Sequence, residues 1–239
     1  MERSQALARS VDTPDAGTLA RLLAARYSCR AFRPEPVARD VVLRIVEIAQ
    51  LTASWCNSQA WQLIVTSGAG TERFRRALLE DASGPARREE AFDFPPPERY
   101  EGVYQERRRE CGWALYESVG VARGDREGSM RQFLENFRLF GAPHVAIVTT
   151  PRALGTYGAV DCGAFVSAFM LAAQSLGIAT IAQAAIASRA PLVRRHFAIP
   201  GERAILCGIS FGHAEDAHPA NAFRTRREDV GNVIEWVDA

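Results

Sequence analysis

The amino-acid sequence predicts a domain of the α/β or α+β class, in which helices cover one β-sheet. The segments 61–67, 144–150 and 203–212 are short, apolar and rich in β-branched residues, which is typical of strands. Segments of helical period alternate with them along the chain. The chain has 239 residues and no internal repeat, so we expect one domain over 1–239.

The first third of the chain contains clear helix and loop signals. Pro14 suits the first turn of a helix, and Asp40 can cap a second helix that carries an apolar stripe. The predicted elements are helices over 14–26, 40–49 and 71–80, an extended segment over 27–37 and a loop over 54–60.

The middle of the chain departs from this alternation. Residues 81–102 are rich in Gly, Pro and charge and include three consecutive prolines, which predicts a surface excursion. An arginine-rich helix over 103–119 and a helix over 128–139 follow. We therefore expect a Pro/Arg-rich excursion at about 81–128 within the single domain.

A long uncharged stretch, 162–188, raises the question of a membrane span, which needs about 20 mostly apolar residues. A Ser-Leu-Gly break and two glutamines interrupt it. We interpret it as a buried helix over 162–176, with Asp161 as a candidate N-cap, followed by a buried strand over 178–182. The first twenty residues lack the apolar core of a signal peptide.

Charge and composition exclude several classes of function. The 29 basic and 28 acidic residues nearly balance, so no field favours nucleic acid or an anionic membrane. All 29 basic residues are arginines, which excludes a pyridoxal Schiff base, a phosphate-binding P-loop lysine and a lysine nucleophile. Five scattered cysteines and four histidines without ligand spacing predict no metal site and no disulfide framework, which suits a reducing cytoplasm.

The segment 26–30 carries two arginines and a serine at alternate positions. If the segment is extended, Arg26, Ser28 and Arg30 point to one side. Two guanidinium forks and a hydroxyl suit a phosphomonoester, which accepts bidentate, charge-assisted hydrogen bonds. The alternative is a solvated arginine pair at the end of a helix. The sequence has no complete GxGxxG motif to bind a pyrophosphate.

Several longer motifs occur in one order along almost the whole chain. They are RYSCRAFRPEPV, TASWCNSQAWQLIVTSG, FRLFGAPHVAIVTT, DCGAFVSAFMLAAQSLGIATIAQAA, IPGERAILCGISFGHAE and NAFRTRRE. Together they resemble the FMN-dependent nitroreductase family from about residue 20 to 236. The excursion is similar to that of the branch containing nitrobenzoate reductases.

This resemblance implies an α+β homodimer with a central, mostly antiparallel sheet between helical layers and an FMN at each of two interface sites. By position in the motifs, the phosphate and ribityl chain would be held by Arg26, Ser28, Arg30, Arg224 and Arg227. Arg226 is an alternative to the tail arginines if the motif is shifted by one residue. The flavin ring would be bordered by Ser54 and Asn57 of the partner subunit, with Gln59 supporting their loop, and by Asn136, Arg138 and the backbone of Gln183, Ala184 and Ala185.

The implied activity is two-electron reduction of a nitroaromatic or quinone-like small molecule by NADH or NADPH, in ping-pong order. The flavin itself carries the chemistry, so no catalytic side chain is required. Trp55 and Cys56 depart from the small residues common in the family and are expected in the substrate pocket, although Trp55 could instead pack at the dimer contact. The alternatives are a flavin-fragmenting or reductively dehalogenating enzyme of the same fold, or an FMN-binding protein without turnover.

Overall fold

A computed structural model of the chain describes residues 13–84 and 90–237. The expectation about the first residues and part of the predicted excursion therefore lie outside the described ranges. The helices are α1 (Pro14–Ala25), α2 (Arg39–Ala49), α3 (Ala69–Ser83), α4 (Gly102–Ser118), α5 (Arg126–Leu134), α6 (Gly155–Ser175), α7 (Ala184–Ala187) and α8 (Ala190–Phe197). The strands are β1 (Gln62–Val65), β2 (His144–Pro151), β3 (Ala179–Gln183) and β4 (Arg203–Gly212).

The four strands form one sheet in the order β1-β2-β4-β3, and all three pairings are antiparallel. The strand β2 lies inside the sheet, and seven of its eight residues are buried. This explains its continuous apolar sequence, because a strand covered on both faces has no polar side. The predicted central antiparallel sheet is confirmed.

Helices cover both faces of the sheet and give three layers. Val145 and Ile147 of β2 pack with α3 and α8 in one apolar cluster. The alternate residues Ala146 and Val148 pack with α2 and α6 in a second cluster. Because successive side chains of a strand point to opposite faces, the sheet separates the core into these two clusters.

A β-bulge in β4 shifts this alternation. Val148 pairs with Cys207 and Thr149 pairs with Ile205, so that Leu206 is the extra residue. As a result Ile205 lies in the α3 cluster, whereas Cys207 lies in the α6 cluster. A strict alternation read from the sequence would have placed both side chains on one face.

Two predicted helix caps are wrong. The helix α2 begins at Arg39, after Ala38, and Asp40 lies inside its first turn. The helix α6 begins at Gly155, so Asp161 lies in its second turn, and its carboxylate accepts hydrogen bonds from another segment. The residue pattern does not indicate that the helix starts this early, because Gly155 and Gly158 are poor helix formers. A Cβ on Gly158 would lie 2.7 Å from Thr150 Oγ1, so the glycine permits close packing of α6 on β2.

The described part of the excursion is not a free surface loop. Ala91 forms a parallel bridge with Arg189, and the carboxylate of Asp93 is mostly buried. Its Oδ2 accepts hydrogen bonds from the backbone N–H of Ile205 at 2.7 Å and from Arg194 Nη2 at 2.5 Å, and Arg152 pairs with Oδ1. The segment is therefore fastened to β4 and α8.

The helical stretch 152–175, which includes α6, is long and apolar enough to cross a membrane by length and composition alone. Its inner face carries Cys162, Phe165 and Phe169, which are completely buried against the sheet and α2. The core helix of a globular protein passes the same test, so the stretch is no evidence for a span.

The segment after α1 is extended, as predicted, and runs along the sheet. Ser28 forms a parallel bridge with Thr180 of the edge strand β3, and Cys29 N–H donates to the Thr180 carbonyl at 3.0 Å. Phe32 forms a bridge with Ala214 just after β4. The extended segment and the chain beyond β4 are thereby brought side by side.

Candidate functional site

Four arginines from opposite ends of the chain line one cavity of about 310 Å³, which we call the arginine cavity. Its lining includes Arg26, Tyr27, Ser28 and Arg30 from the extended segment, Cys111 from α4, and Arg224, Thr225 and Arg227 from the tail. The intervening Cys29 is completely buried in the core, as expected for an alternating strand. The geometry favours convergence of these groups over a solvated arginine pair.

Asn221 joins the two arginine-bearing segments. It is 4% exposed, and its Oδ1 accepts the backbone N–H of Arg30 at 2.7 Å. Its Nδ2 donates to the carbonyls of Ala31 and Glu215, both at 2.9 Å. Its own carbonyl accepts a hydrogen bond from Arg224 Nη1 at 2.7 Å. Both polar atoms of the side-chain amide are therefore hydrogen-bonded, and they join the tail to the extended segment and to Glu215.

Aromatic rings hold two of the guanidinium groups in place. The Arg224 guanidinium lies over the Tyr27 ring, 3.9 Å from its centroid. The Arg30 guanidinium lies 5.4 Å from the centroid of Phe223 and also donates to the Ser28 carbonyl at 3.1 Å. Cation–π stacking leaves the edges of a guanidinium free to donate, so these contacts preorganise the groups for an oxyanion.

The charge balance of the cavity favours an anion. Within the described ranges, no acidic side chain lines it. Burial lowers the pKa of Arg30 from its ordinary value. Burial, and secondly the charge of Arg227, lowers the pKa of Arg26. Guanidinium groups crowded in this way repel one another, and a bound dianion would relieve the repulsion.

The structure distinguishes the arginines of the tail. Arg224 and Arg227 line the arginine cavity. Arg226 turns away and donates from Nε to Glu110 Oε1 at 2.9 Å, with most of its side chain exposed. Sequence register alone could not separate these neighbours.

The loop 54–59 carries the residues expected at the flavin ring and does not line the arginine cavity. Cys56, Asn57 and Gln59 have φ angles of 49°, 55° and 46°, all in the left-handed region. Such a conformation costs a residue other than glycine about 1–3 kcal/mol, and it persists only where surrounding contacts enforce it.

Side chains of the loop close it on itself. The Gln59 N–H donates to Ser54 Oγ at 3.0 Å, and Gln59 Nε2 donates to Asn57 Oδ1 at 3.1 Å. Gln59 Oε1 in turn accepts from Gln50 Nε2 at 3.0 Å. The Gln59 side chain therefore bonds to Asn57 within the loop and to Gln50 at the end of α2. These are contacts that a residue supporting the loop would make.

The helix α6 contacts the loop through two residues one turn apart. The Asp161 Oδ1 accepts the Trp55 N–H at 3.0 Å, and Oδ2 accepts the Ser58 hydroxyl at 2.8 Å. Tyr157 meets the Trp55 ring edge-on, with centroids 4.1 Å apart. Trp55 and Cys56 nevertheless remain exposed, at the surface where the substrate pocket is predicted.

Gln183 and Asn136 lie together, as their predicted common site requires. Gln183 is 3% exposed; its Nε2 donates to the Asn136 carbonyl at 2.9 Å, and its Oε1 accepts the Ser210 hydroxyl at 2.5 Å. The side chain is therefore fully engaged inside the protein. Ala184 is exposed and Ala185 half-buried where β3 passes into α7, which leaves their backbone accessible.

Arg138 does not join the arginine cavity. Its Nη1 pairs with Glu135 Oε1 at 2.5 Å, and it lines a neighbouring cavity of about 640 Å³ that shares Arg30. The role predicted for Arg138 beside the pyrimidine end of a flavin remains a prediction.

Sequence reasoning overlooked the residues that hold the site together. Asn221 lies in a quoted motif, but its partner Arg30 is 191 positions away. Tyr27 stands between two predicted ligands, yet only the fold shows that Arg224 stacks on it. Asp161 was assigned to a helix cap, because an aspartate before an apolar run is a common N-cap.

Comparison with known proteins gives the family to which this fold belongs. The chain matches the Nitroreductase family over residues 23–213 and belongs to that family. The family resemblance seen in the sequence is confirmed.

The relatives of the chain include named nitroreductases. Nitroreductase NfnB of Mycolicibacterium smegmatis is 36% identical over 217 residues, which cover 90% of this chain and 91% of the relative. A 4-nitrobenzoate reductase of a Nocardioides species is 34% identical, covering 89% and 87%. The solved structure of the FMN-dependent nitroreductase NfnB from Mycobacterium smegmatis in complex with NADPH superposes with a TM-score of 0.87 at 33% identity, over 93% of this chain and 99% of that one.

Proposed function

We propose that the protein is an FMN-dependent nitroreductase that uses NADPH or NADH to reduce nitroaromatic compounds. The observation that carries the proposal is the convergence of four arginines and Ser28 on one cavity free of acidic lining in the described chain. The similarity to FMN- and NADPH-dependent nitroreductases supports the same cofactor and donor. The relatives named for 4-nitrobenzoate support an aromatic acceptor.

The residues of the arginine cavity fit the phosphate of FMN. Arg26, Arg30, Arg224 and Arg227 supply planar, permanently charged donors, and Ser28 supplies a hydroxyl. A terminal phosphomonoester suits this closed cluster better than the bridging pyrophosphate of FAD, which is usually bound by a glycine-rich turn at a helix N-terminus. These residues bind and orient; they are remote from any reacting atom in the proposed arrangement.

The ring end of the site would be made by the backbone at Gln183, Ala184 and Ala185 and by Ser54 and Asn57 of the partner subunit. When bound, FMN would supply the redox chemistry, taking a hydride from the nicotinamide and passing two electrons to the acceptor. The protein then has to align donor and acceptor in turn and exclude water, and Trp55 and Cys56 would border the acceptor. Arg138 would stabilise negative charge at the pyrimidine end after release from Glu135.

We propose a homodimer because the residues predicted at the flavin phosphate and those predicted at the flavin ring are separated within one chain. A partner subunit would then supply the ring residues of the loop 54–59. The loop 54–59 is absent from the lining of the arginine cavity. Large apolar side chains are also more than half exposed in the single chain, which is typical of a covered interface. They include Leu51, Trp55, Tyr104, Tyr157, Val160 and Trp236. The five free thiols suit the reducing cytoplasm, where we place the protein.

The test is to purify the protein, record its visible spectrum, release the cofactor by heat and identify it by chromatography against FMN and FAD. The holoenzyme is then mixed with NADPH or NADH without oxygen, and 4-nitrobenzoate is added. We expect FMN, bleaching by the donor and reoxidation by the nitro compound. FAD as the main species would contradict the cofactor assignment, and FMN that the donors do not bleach would indicate a binding protein without turnover.

Sedimentation at several protein concentrations tests the dimer. We expect a dimer that persists at nanomolar concentration, since such interfaces commonly bury over ~2,000 Å². A monomer that retains its full FMN content would contradict a site shared between two subunits.

A further inference from the structure

We propose that Asp161 is the positioning residue that holds the loop 54–59 in the conformation needed at the flavin ring. The inference rests on the proposed function and adds to it a residue that contacts neither cofactor nor substrate. Asp161 lies on α6 and is 6% exposed. A carboxylate is rarely buried without partners, and both of its oxygens are directed at this loop.

The two hydrogen bonds hold the loop on both sides of two of its three strained residues, Cys56 and Asn57. Trp55 precedes the left-handed Cys56 and Asn57, and its N–H is bound by Asp161 Oδ1. Ser58 follows them, and its hydroxyl is bound by Oδ2. Fixing both flanks on one rigid carboxylate holds the intervening turn in a conformation that its residues disfavour.

The helix that carries Asp161 gives the anchor its rigidity. Neighbouring Cys162 and Phe165 are completely buried between α6 and the sheet, so the backbone at Asp161 cannot shift without disturbing the core. Tyr157, one turn earlier on α6, contacts the Trp55 ring and restricts the position of that side chain. Backbone and side chain of Trp55 are thus both set by α6.

The loop's internal hydrogen bonds do not replace this anchor. Ser54, Asn57 and Gln59 bond among themselves, which fixes their shape relative to one another. Gln59 also bonds Gln50 at the end of α2, and Tyr157 contacts the Trp55 ring. Among the described residues, the Asp161 carboxylate makes the hydrogen bonds that join Trp55 and Ser58 to α6. Loss of Asp161 should therefore leave a loop that forms but is displaced from the flavin ring.

The experiment compares three dimeric holoenzymes: wild type, Asp161→Ala and Asp161→Asn, with Asp40→Ala as the control. Asp40 is an exposed aspartate that bonds only its neighbour's N–H among the described residues, so its removal controls for loss of charge. Asparagine keeps an acceptor for Trp55 N–H, and its amide can donate to the Ser58 hydroxyl. The readouts are visible circular dichroism of the bound flavin, the FMN dissociation constant, and the rate of flavin reduction by NADPH at saturating FMN.

For Asp161→Ala we expect altered flavin dichroism and a reduction rate lowered ~10- to 100-fold, since small misplacements at a reacting centre have effects of this size. FMN affinity should change less than the rate, because the arginine cavity is intact. Asp161→Asn should recover most of the rate and the dichroism. Asp40→Ala should match wild type in all three.

Wild-type dichroism and reduction rate in Asp161→Ala would overturn the inference and leave the proposed function standing. A wild-type protein that binds no flavin would overturn both. If Asp161→Ala does not fold, Ser58→Ala keeps the carboxylate and removes one hydrogen bond. An intermediate fall in the reduction rate at saturating FMN then supports the inference, and an unchanged rate overturns it.

Discussion

The amide of Asn221 binds the backbone N–H of Arg30 across 191 positions of sequence, at 2.7 Å. The same residue accepts a hydrogen bond from the Arg224 guanidinium through its carbonyl, also at 2.7 Å. One buried residue therefore sets the separation of the two arginine pairs that form the arginine cavity. In the proposed function, recognition of the FMN phosphate would depend on this separation, because bidentate recognition requires fixed donor geometry.

Replacing Asn221 with alanine should weaken FMN binding about tenfold and lower the free energy of unfolding by about 2–3 kcal/mol, since three hydrogen bonds of its side chain are lost at about 1 kcal/mol each. Flavin fluorescence quenching and urea unfolding measure the two effects. Asn232→Ala, at an exposed tail position bonded to Glu228, is the matched control and should change neither. Unchanged FMN affinity in Asn221→Ala would contradict its role in the cavity.

Arg30→Ala should lower FMN affinity roughly ten- to a hundredfold, because a charge-assisted contact contributes about 1.5–3 kcal/mol. Turnover per bound flavin should barely change, since the phosphate lies far from the reacting ring. Arg226→Ala removes an equal charge from the same surface but outside the arginine cavity, and it should leave affinity almost unaltered. Equal losses of FMN affinity in the two variants would mean that the overall positive charge of this surface, rather than the arginine cavity, attracts the cofactor.

Thiol reactivity should follow burial. Burial raises the pKa of Cys29 and Cys162 to about 11 and that of Cys207 to about 12, so these thiols are protonated and inaccessible at pH 8. Cys56 is exposed and should react with a disulfide reagent in the fast phase. Counting released thiolate before and after denaturation gives the number of protected thiols. Cys56→Ser should abolish the fast phase, and its persistence would place the reactive thiol elsewhere.

Stability should fall at alkaline pH through Cys207. Its folded pKa is raised to about 12, whereas an unfolded cysteine has a pKa of about 8.5. Above about pH 8.5 the unfolded state loses this proton while the folded state keeps it, so the thiol's contribution to stability is complete only below about pH 8.5 and declines by up to about 1.4 kcal/mol per pH unit as pH rises towards 12. Urea unfolding of wild type and Cys207→Ala from pH 8 to 10 measures it. The difference between them should shrink as pH rises, and a constant difference would contradict the assignment.

Asp93→Ala should lower the free energy of unfolding by about 2–3 kcal/mol, because a mostly buried carboxylate loses its hydrogen bonds to Ile205 and Arg194. Glu98→Ala, at an exposed position of the same segment, is the control and should have little effect. Proteolysis of the native protein should become faster near residue 93 only in the first variant. Equal stability of both variants would show that the excursion is not fastened through Asp93.

The sequence was sufficient to predict elements whose pattern is local. The strand β4 was predicted over 203–212 and is observed over Arg203–Gly212, because its apolar residues are continuous and bounded by turns. The alternation of Arg26, Ser28 and Arg30 likewise predicted a shared direction; all three line one cavity, and so does the intervening Tyr27.

Features that depend on distant partners could not be predicted. The start of α6 at Gly155 is set by packing on β2, which overrides the low helix propensity of glycine. The bulge at Leu206 changes the face of Cys207 without any glycine to mark it. The bond between Asn221 and Arg30 has no signal in spacing, since an amide can bond to any backbone that the fold brings near.

The arginine cavity is built from residues 26–30 and from a tail segment that ends at residue 227. During synthesis the first group emerges early, and the second emerges only after the whole sheet has been made. A nascent chain that still lacks the tail segment therefore has only two of the four arginines of this cavity. If the cavity binds the FMN phosphate as proposed, we expect tight cofactor binding only after the tail has closed on the extended segment.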